Sequence, residues 1–436
     1  MKKISTGLYS LFWTQFFGAL NDNLFKSALV LLITYKNISL FGLSPASMVA
    51  FCGGIFILPF FLISATSGQL ADKLDKIWLS IKIKEAEVLI SLLGALGLFL
   101  QNYYLMIFVL FLLGLQSTFF GPIKYALIPR YTKTEHLVFG NALISSGTFL
   151  AILLGTIIGG IAAGIDDNYW PLVVLLLSIA FLGLYYARKL QSQKNKELPM
   201  SSESIHVNWN FFTSTRDILK LIFIDSERAH LIIGLSWFWF MGAGLLSLLP
   251  LIAKNIFHGS EAVATIMLFT FTLGMGIGPF ILEKICKGRI FTSIIPLSLI
   301  LMTLVIFDLA YVIKAASTFS SELGNHLSIA EFFKLNLSFR TSVDLLLLSL
   351  FGGMFTVTQF AQLQSKTFET ELSRIVAGNN IVNAAAMVLV SILLMIFHGS
   401  SFSLSFILGI LGFFNVLMSM LLLNFYKNEF NNFLRF

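Results

Sequence analysis

The chain has 436 residues, of which 57% are hydrophobic and only 12% charged, with a mean hydropathy of +0.85 and a formal net charge of +7. Soluble domains carry about 25% charged residues, so the composition excludes a soluble enzyme or nucleic-acid module and points to an all-α membrane protein. The apolar stretches are long and do not alternate, which excludes a β-barrel, and Cys52 and Cys286 lie too far apart in sequence to suggest a disulfide framework.

A helix rising about 1.5 Å per residue needs about 20 apolar residues to cross a bilayer core. The sequence predicts twelve transmembrane helices, at 8–36, 46–71, 78–100, 103–128, 137–164, 168–188, 229–253, 261–282, 290–313, 343–364, 375–397 and 402–426. The first is longer than a signal-peptide core of about 7 to 15 residues, so it is expected to remain as a membrane helix. The least apolar long segment, 189–228, contains Lys189, Lys194, Lys196 and the cluster LPMSSES. It reads as a cytoplasmic linker between one six-helix bundle, 1–188, and a second, 229–436. Within it, STRDILKLIFID (214–225) has an amphipathic spacing suited to the membrane surface.

Of the 29 Lys and Arg residues, only Lys36, Lys254, Lys314, Lys334 and Arg340 fall in loops on one side, and Lys26 lies inside a span. The others, including Lys73, Lys76, Lys82 and Lys84 after the second span, collect on the opposite side. By the positive-inside rule, both termini and the linker are expected in the cytoplasm, and the basic balance needs no nucleic-acid partner. GQLADKLDK (68–76) after the second span has a degenerate echo, GPFILEKICKGR (278–289), after the eighth. Parallel six-helix halves account for such a repeat.

The first span holds Asp22 and Lys26 near its middle, where each charge costs at least about 2.5 kcal/mol on insertion scales. Their i, i+4 spacing puts them on one face, with Asn21 and Asn23 adding hydrogen-bonding groups. The pair either locks helix packing as an ion pair or lines a polar cavity that meets a head group or coupling ion. GQLADKLDK resembles the loop motif of the major facilitator superfamily: Gly68 allows close helix approach, and Asp72, followed by Lys73, suits the positive end of a helix. Arg374 is its candidate neighbour, in a gating latch. Asp75 stands where that motif usually has Gly.

In the fourth span, Gly121-Pro122 breaks the helical bonding pattern, and Lys124 either faces a ligand or snorkels to the interface. In the fifth, Gly147, Gly155, Gly159 and Gly160 form a face for tight packing. The second half contributes Gln359, Gln362 and Gln364 in the tenth span, then Asn379, Asn380 and Asn383 in the eleventh. These amides either face a translocation path or satisfy one another. Asp308 is expected to pair at the interface. The six histidines show no metal spacing and no P-loop appears, so no cofactor or metal is expected.

The stretches TQFFGALNDNLFK (14–26), LQSTFFGPIKYALIP (115–129), FGNALISSGTFLAILLGTIIGG (139–160), LSWFWFMGAG (235–244) and RIVAGNNIVNA (374–384) resemble the lysophospholipid transporter family of the major facilitator superfamily. The likeness extends to the transporter part of fused bacterial proteins that also carry a 2-acylglycerophosphoethanolamine acyltransferase and an acyl-acyl carrier protein synthetase. It implies a bacterial inner-membrane flippase that moves lysophospholipids to the cytoplasmic leaflet for reacylation, with Asp22, its flanking asparagines and Lys124 as head-group contacts or gates. It also implies functional coupling to a separate acyltransferase and acyl-acyl carrier protein synthetase. The alternative reading is a facilitator that exports an amphipathic small molecule by proton antiport, with Asp22 titrating. A membrane acyltransferase is the third reading, and no H-x-x-x-x-D motif supports it.

Overall fold

The computed structural model describes residues 5–163, 169–190, 207–287, 289–319, 327–399 and 402–434, so 191–206 of the expected linker lies outside the described residues. The architecture is all-α. In chain order the helices are α1 (Thr6–Tyr35), α2 (Pro45–Leu62), α3 (Ser64–Lys73), α4 (Lys76–Phe99), α5 (Tyr103–Tyr131), α6 (Leu137–Ala163), α7 (Trp170–Lys189), α8 (Phe211–Phe223), α9 (Ser226–Asn255), α10 (Glu261–Cys286), α11 (Ile294–Phe319), α12 (Ile329–Lys334), α13 (Asn336–Lys366), α14 (Leu372–Gly399), α15 (Leu404–Phe425) and α16 (Lys427–Leu434). Their starts follow from local chemistry. Ser5, Ser44, Asp75, Asn102, Asn210 and Ser403 each accept a first-turn N–H through the side chain, satisfying donors that a helix end leaves unpaired.

Among the described residues, ten helices are long and apolar enough to cross a bilayer, and α2 with α3, bent by 50°, makes an eleventh. The expected second span is therefore a broken one. Its bend falls at Ile63, beside Ser64, whose hydroxyl donates back to the Phe60 carbonyl at 2.6 Å, a pattern that bends helices. The expected third span is α4, whose N-terminal half holds Lys76, Lys82, Lys84, Glu85 and Glu87. That charge keeps it from qualifying on composition. The twelve expected segments thus each fall on a helix or, for the second, on a bent helix pair, and eleven of them are long and apolar enough to cross a bilayer. The Gly121-Pro122 step does not interrupt α5, which runs on to Tyr131.

The chain divides into two compact units, Met1–Asp225 with Lys366–Ile381, and Ser226–Ser365 with Val382–Phe436. In the first, α1 packs on α6, α7, α5 and α2. The small face of α6 makes this possible: a Cβ at Gly155 would stand 2.6 Å from the Leu20 carbonyl oxygen, and Gly159 backs onto Leu24. Backbone contact of this kind is how membrane helices associate without a hydrophobic drive between them. In the second unit α11 packs on α15, and α9 on α10 and α15. Asn415 of α15 ties them together, accepting from the Trp237 indole at 2.7 Å and donating to Thr303 at 2.8 Å and to the Leu299 carbonyl at 3.0 Å.

Candidate functional site

The first unit encloses a cluster of ionisable side chains between α1, α4 and α5. Asp22 accepts from Gln116 Nε2 at 3.1 Å and from the Ser117 hydroxyl. One residue back, Asn21 donates to Ser91 at 3.0 Å and to Glu87 at 3.4 Å. Glu87 closes a 2.5 Å ion pair with Lys84, the two side chains being 0% and 1% exposed. The Lys84 ammonium also stands 5.0 Å from the Phe120 ring centroid. Gly18 leaves the room, since a Cβ there would strike the ammonium. Lys84, counted by sequence among the loop charges, is an interior residue because its partner lies one helical turn along.

Asp22 and Lys26 do not form an ion pair. The Lys26 ammonium lies 5.3 Å from the Phe56 ring centroid, and Lys124 lies 5.1 Å from that of Tyr125. Neither ammonium has a carboxylate within ion-pair distance among the described residues. Asn23 donates to the Ala19 carbonyl of its own helix at 2.8 Å and faces Gly155, so it belongs to the packing with α6. The Asn21 side-chain oxygen and the Gln116 side-chain oxygen are buried without a hydrogen-bond partner, a costly state in a low-dielectric interior. Asn380 of α14 faces Gly121. Sequence reasoning missed Lys84, Glu87, Ser91, Gln116 and Ser117. Its available signal was the Lys-x-x-Glu spacing inside a predicted span.

A second cluster of the same unit surrounds Asp72 of α3. Its carboxylate accepts the backbone N–H groups of Ser373 and Arg374, each at 3.1 Å, and the Arg374 guanidinium Nε at 3.1 Å. Lys76 stands 3.5 Å away. Asp72 thus caps the first turn of α14, where helix-end donors and the helix dipole both favour an anion; each such charged bond is worth about 1.5 to 3 kcal/mol. Gly68 sits one turn earlier, and a Cβ there would lie 2.5 Å from Ala377 Cβ and 2.9 Å from Arg374 Cα. Asp75, the departure from the loop motif, accepts from the Trp78 N–H at 2.7 Å and starts α4. Lys73 is half-buried at the end of α3, and Arg130 lies 3.8 Å from Glu369.

In the second unit, Gln362 donates to Glu227 at 2.9 Å and Asn383 accepts from Ser236 at 2.8 Å. Gln359 is fully buried against Gly234, and neither end of its amide has a partner. Gln364 is buried here, and Asn379, which belongs to the first unit, is buried as well. Asp308 pairs with Arg340 through two hydrogen bonds, one of 2.9 Å. Both side chains are partly exposed, and Asp308 has the ion-pair partner expected from sequence. Both cysteines are free and buried.

The sequence profile of the Major Facilitator Superfamily matches residues 11–391. The chain belongs to the Major Facilitator Superfamily. It is accordingly a multi-pass membrane transporter. Among curated relatives this facilitator is similar to the lysophospholipid transporter LplT of Cronobacter sakazakii, 26% identical over 57% of this chain and 58% of that protein. It is 27% identical to the LplT of Yersinia pestis over 57% of each. The chain thus spans somewhat over half the length of the curated relatives it matches. Solved facilitators share the fold alone. The Major Facilitator Superfamily transporter FucP in the outward conformation superposes with a TM-score of 0.71 at 13% identity, covering 97% of this chain and 98% of that one. A bacterial homologue of ferroportin in the outward-facing state gives 0.70 at 14% identity over 97% and 99%.

Proposed function

We propose that this facilitator flips lysophospholipids, such as lysophosphatidylethanolamine and lysophosphatidylglycerol, across the bacterial inner membrane to the cytoplasmic leaflet for reacylation by a separate acyltransferase. The observation that carries the reading is the interior cluster of the first unit. A lysophospholipid head group bears a phosphodiester and, in the ethanolamine form, an ammonium. The cluster offers a matching set: Lys26 and Lys124 are cations without carboxylate partners, and Asp22 is an anion held only by neutral donors. The similarity to lysophospholipid transporters supports the same substrate class.

In this account Asn21, Asn379, Asn380, Gln359, Gln362 and Asn383 line the translocation route, while Asn23 holds α1 against α6. Gly68, Asp72, Lys73 and Arg374 form the gate, which opens when the carboxylate releases the first turn of α14. The six-helix bundles 1–188 and 229–436 are the functional halves, with both termini and the linker in the cytoplasm.

Purified protein in liposomes, with labelled lysophosphatidylethanolamine added outside, tests the proposal. Transfer to the inner leaflet is expected without any ion gradient. Transfer no faster than in protein-free vesicles overturns the lysolipid assignment, and transfer that requires a pH gradient favours a proton-coupled exporter.

A further inference from the structure

The short helix α8 carries apolar side chains on two faces, and among the described residues only one is covered by the protein. Ser214, Ile218 and Ile222, spaced by four, are buried. Ile218 and Ile222 close over Gly378 of α14, where a Cβ would meet Ile218 Cγ2 at 2.6 Å. Polar bonds fix the same side to α3: Gln69 donates to Ser214 at 3.3 Å and accepts from the Asn208 N–H at 2.7 Å, and Thr66 donates to the Asn208 carbonyl at 3.2 Å. This helix therefore sits one residue from Gly68 and one helical turn from Arg374.

The second face is the seam Phe212, Arg216, Leu219, Phe223, at i, i+4, i+7 and i+11, flanked by Lys220. These side chains and Thr215 line an open groove. Phe212 is 77% exposed and Trp209, just before the helix, 72%. Arg216 is paired with its neighbour Asp217 at 3.3 Å, whereas Lys220 has no carboxylate partner among the described residues. At the helix start Phe211, on the buried side, packs on Phe61 of α2 with ring centroids 5.6 Å apart, and Phe61 is itself 38% exposed, so α8 lies beside an exposed apolar flank of the expected second span. Aromatic side chains interleaved with long cationic ones are the composition that rests in a lipid headgroup layer, the rings at the acyl boundary and the charges snorkelling to water.

We infer that α8 lies in the membrane interface, with the Trp209–Phe212–Leu219–Phe223 face seated in phospholipid. The occupant of the groove is membrane lipid.

Spin labels placed by Phe212→Cys, Phe223→Cys and Asp217→Cys in the full chain, reconstituted in phosphatidylethanolamine–phosphatidylglycerol nanodiscs, test the inference; unsubstituted protein sets the background from the buried native cysteines. Labels at 212 and 223 are expected to collide preferentially with oxygen, and the label at 217 with a water-soluble nickel chelate. Equal, water-like collision at all three positions would overturn the inference and leave the face open to a soluble protein partner. As a second readout, Phe212→Ser with Phe223→Ser is expected to leave the thermal transition in detergent in place while abolishing the oxygen-accessible signal at a Leu219→Cys label. An unchanged signal at 219 in that variant would contradict lipid seating through these rings.

Discussion

Ser67 on α3 shares its hydroxyl proton between the Ser64 carbonyl of its own helix at 2.9 Å and the Thr118 carbonyl on α5 at 3.1 Å, and the Thr118 carbonyl is the one Pro122 leaves without its intrahelical donor. The proline costs α5 a hydrogen bond, and a neighbouring helix returns one. Ser67→Ala is expected to lower stability by about 1 to 3 kcal/mol, the range for an orphaned buried acceptor. Pro122→Ala restores the intrahelical donor, so the same serine change in that background is expected to be nearly neutral. A double-mutant cycle on thermal unfolding in detergent measures the coupling.

The Lys84–Glu87 pair makes a sharper stability prediction. Glu87→Gln leaves a buried ammonium beside a neutral amide, at a cost of about 3 to 5 kcal/mol, whereas removing both charges with volume-matched residues is often neutral. Glu87→Gln and Lys84→Met are each expected to lower the unfolding temperature markedly, and Lys84→Met with Glu87→Leu to recover most of it. Additive losses in the double variant would show that the pair is not the unit.

For the proposed gate, exchanging the charges is expected to fail. Two of the three bonds that Asp72 accepts at 3.1 Å come from backbone N–H groups, which no arginine can satisfy. Asp72→Arg with Arg374→Asp should therefore be as defective in lysolipid uptake as Asp72→Arg alone. Gly68→Val should be defective too, because α3 and α14 cannot both keep their positions around the added side chain. Rescue by the exchange would reduce the clamp to a simple ion pair.

Much of the fold was legible because apolar runs of this length have one outcome in a bilayer, and Gly155 and Gly159 advertise a helix contact at their own spacing. The interior of the first unit was less so. Lys84 reads as a loop charge until Gly18 and Asn21 from another helix are seen to enclose it and its partner. Asp22 was visible as an anomaly, yet its donors lie 94 and 95 residues away, beyond any local pattern. The i, i+4 spacing of Asp22 and Lys26 suggested a pair, but the Gln116 and Ser117 donors engage the carboxylate while the ammonium turns to Phe56. Asp75 was visible only as a departure from a motif, and its reason is a helix start.

In the second unit Gln359 separates function from stability. Its amide is buried with neither end paired, so Gln359→Met removes two unsatisfied groups at similar volume and is expected to raise or preserve the unfolding temperature. If the amide serves the translocation route, lysolipid uptake falls severalfold in the same variant. Intact uptake with raised stability would assign Gln359 to packing alone.

The most direct test of the account is uptake of labelled lysophosphatidylethanolamine by spheroplasts, comparing the intact protein with Asp22→Asn at matched expression, with and without an uncoupler. The account predicts uptake that needs the protein, falls severalfold in the variant and survives the uncoupler. Uptake no greater than in membranes lacking the protein, or equal in Asp22→Asn, would contradict it.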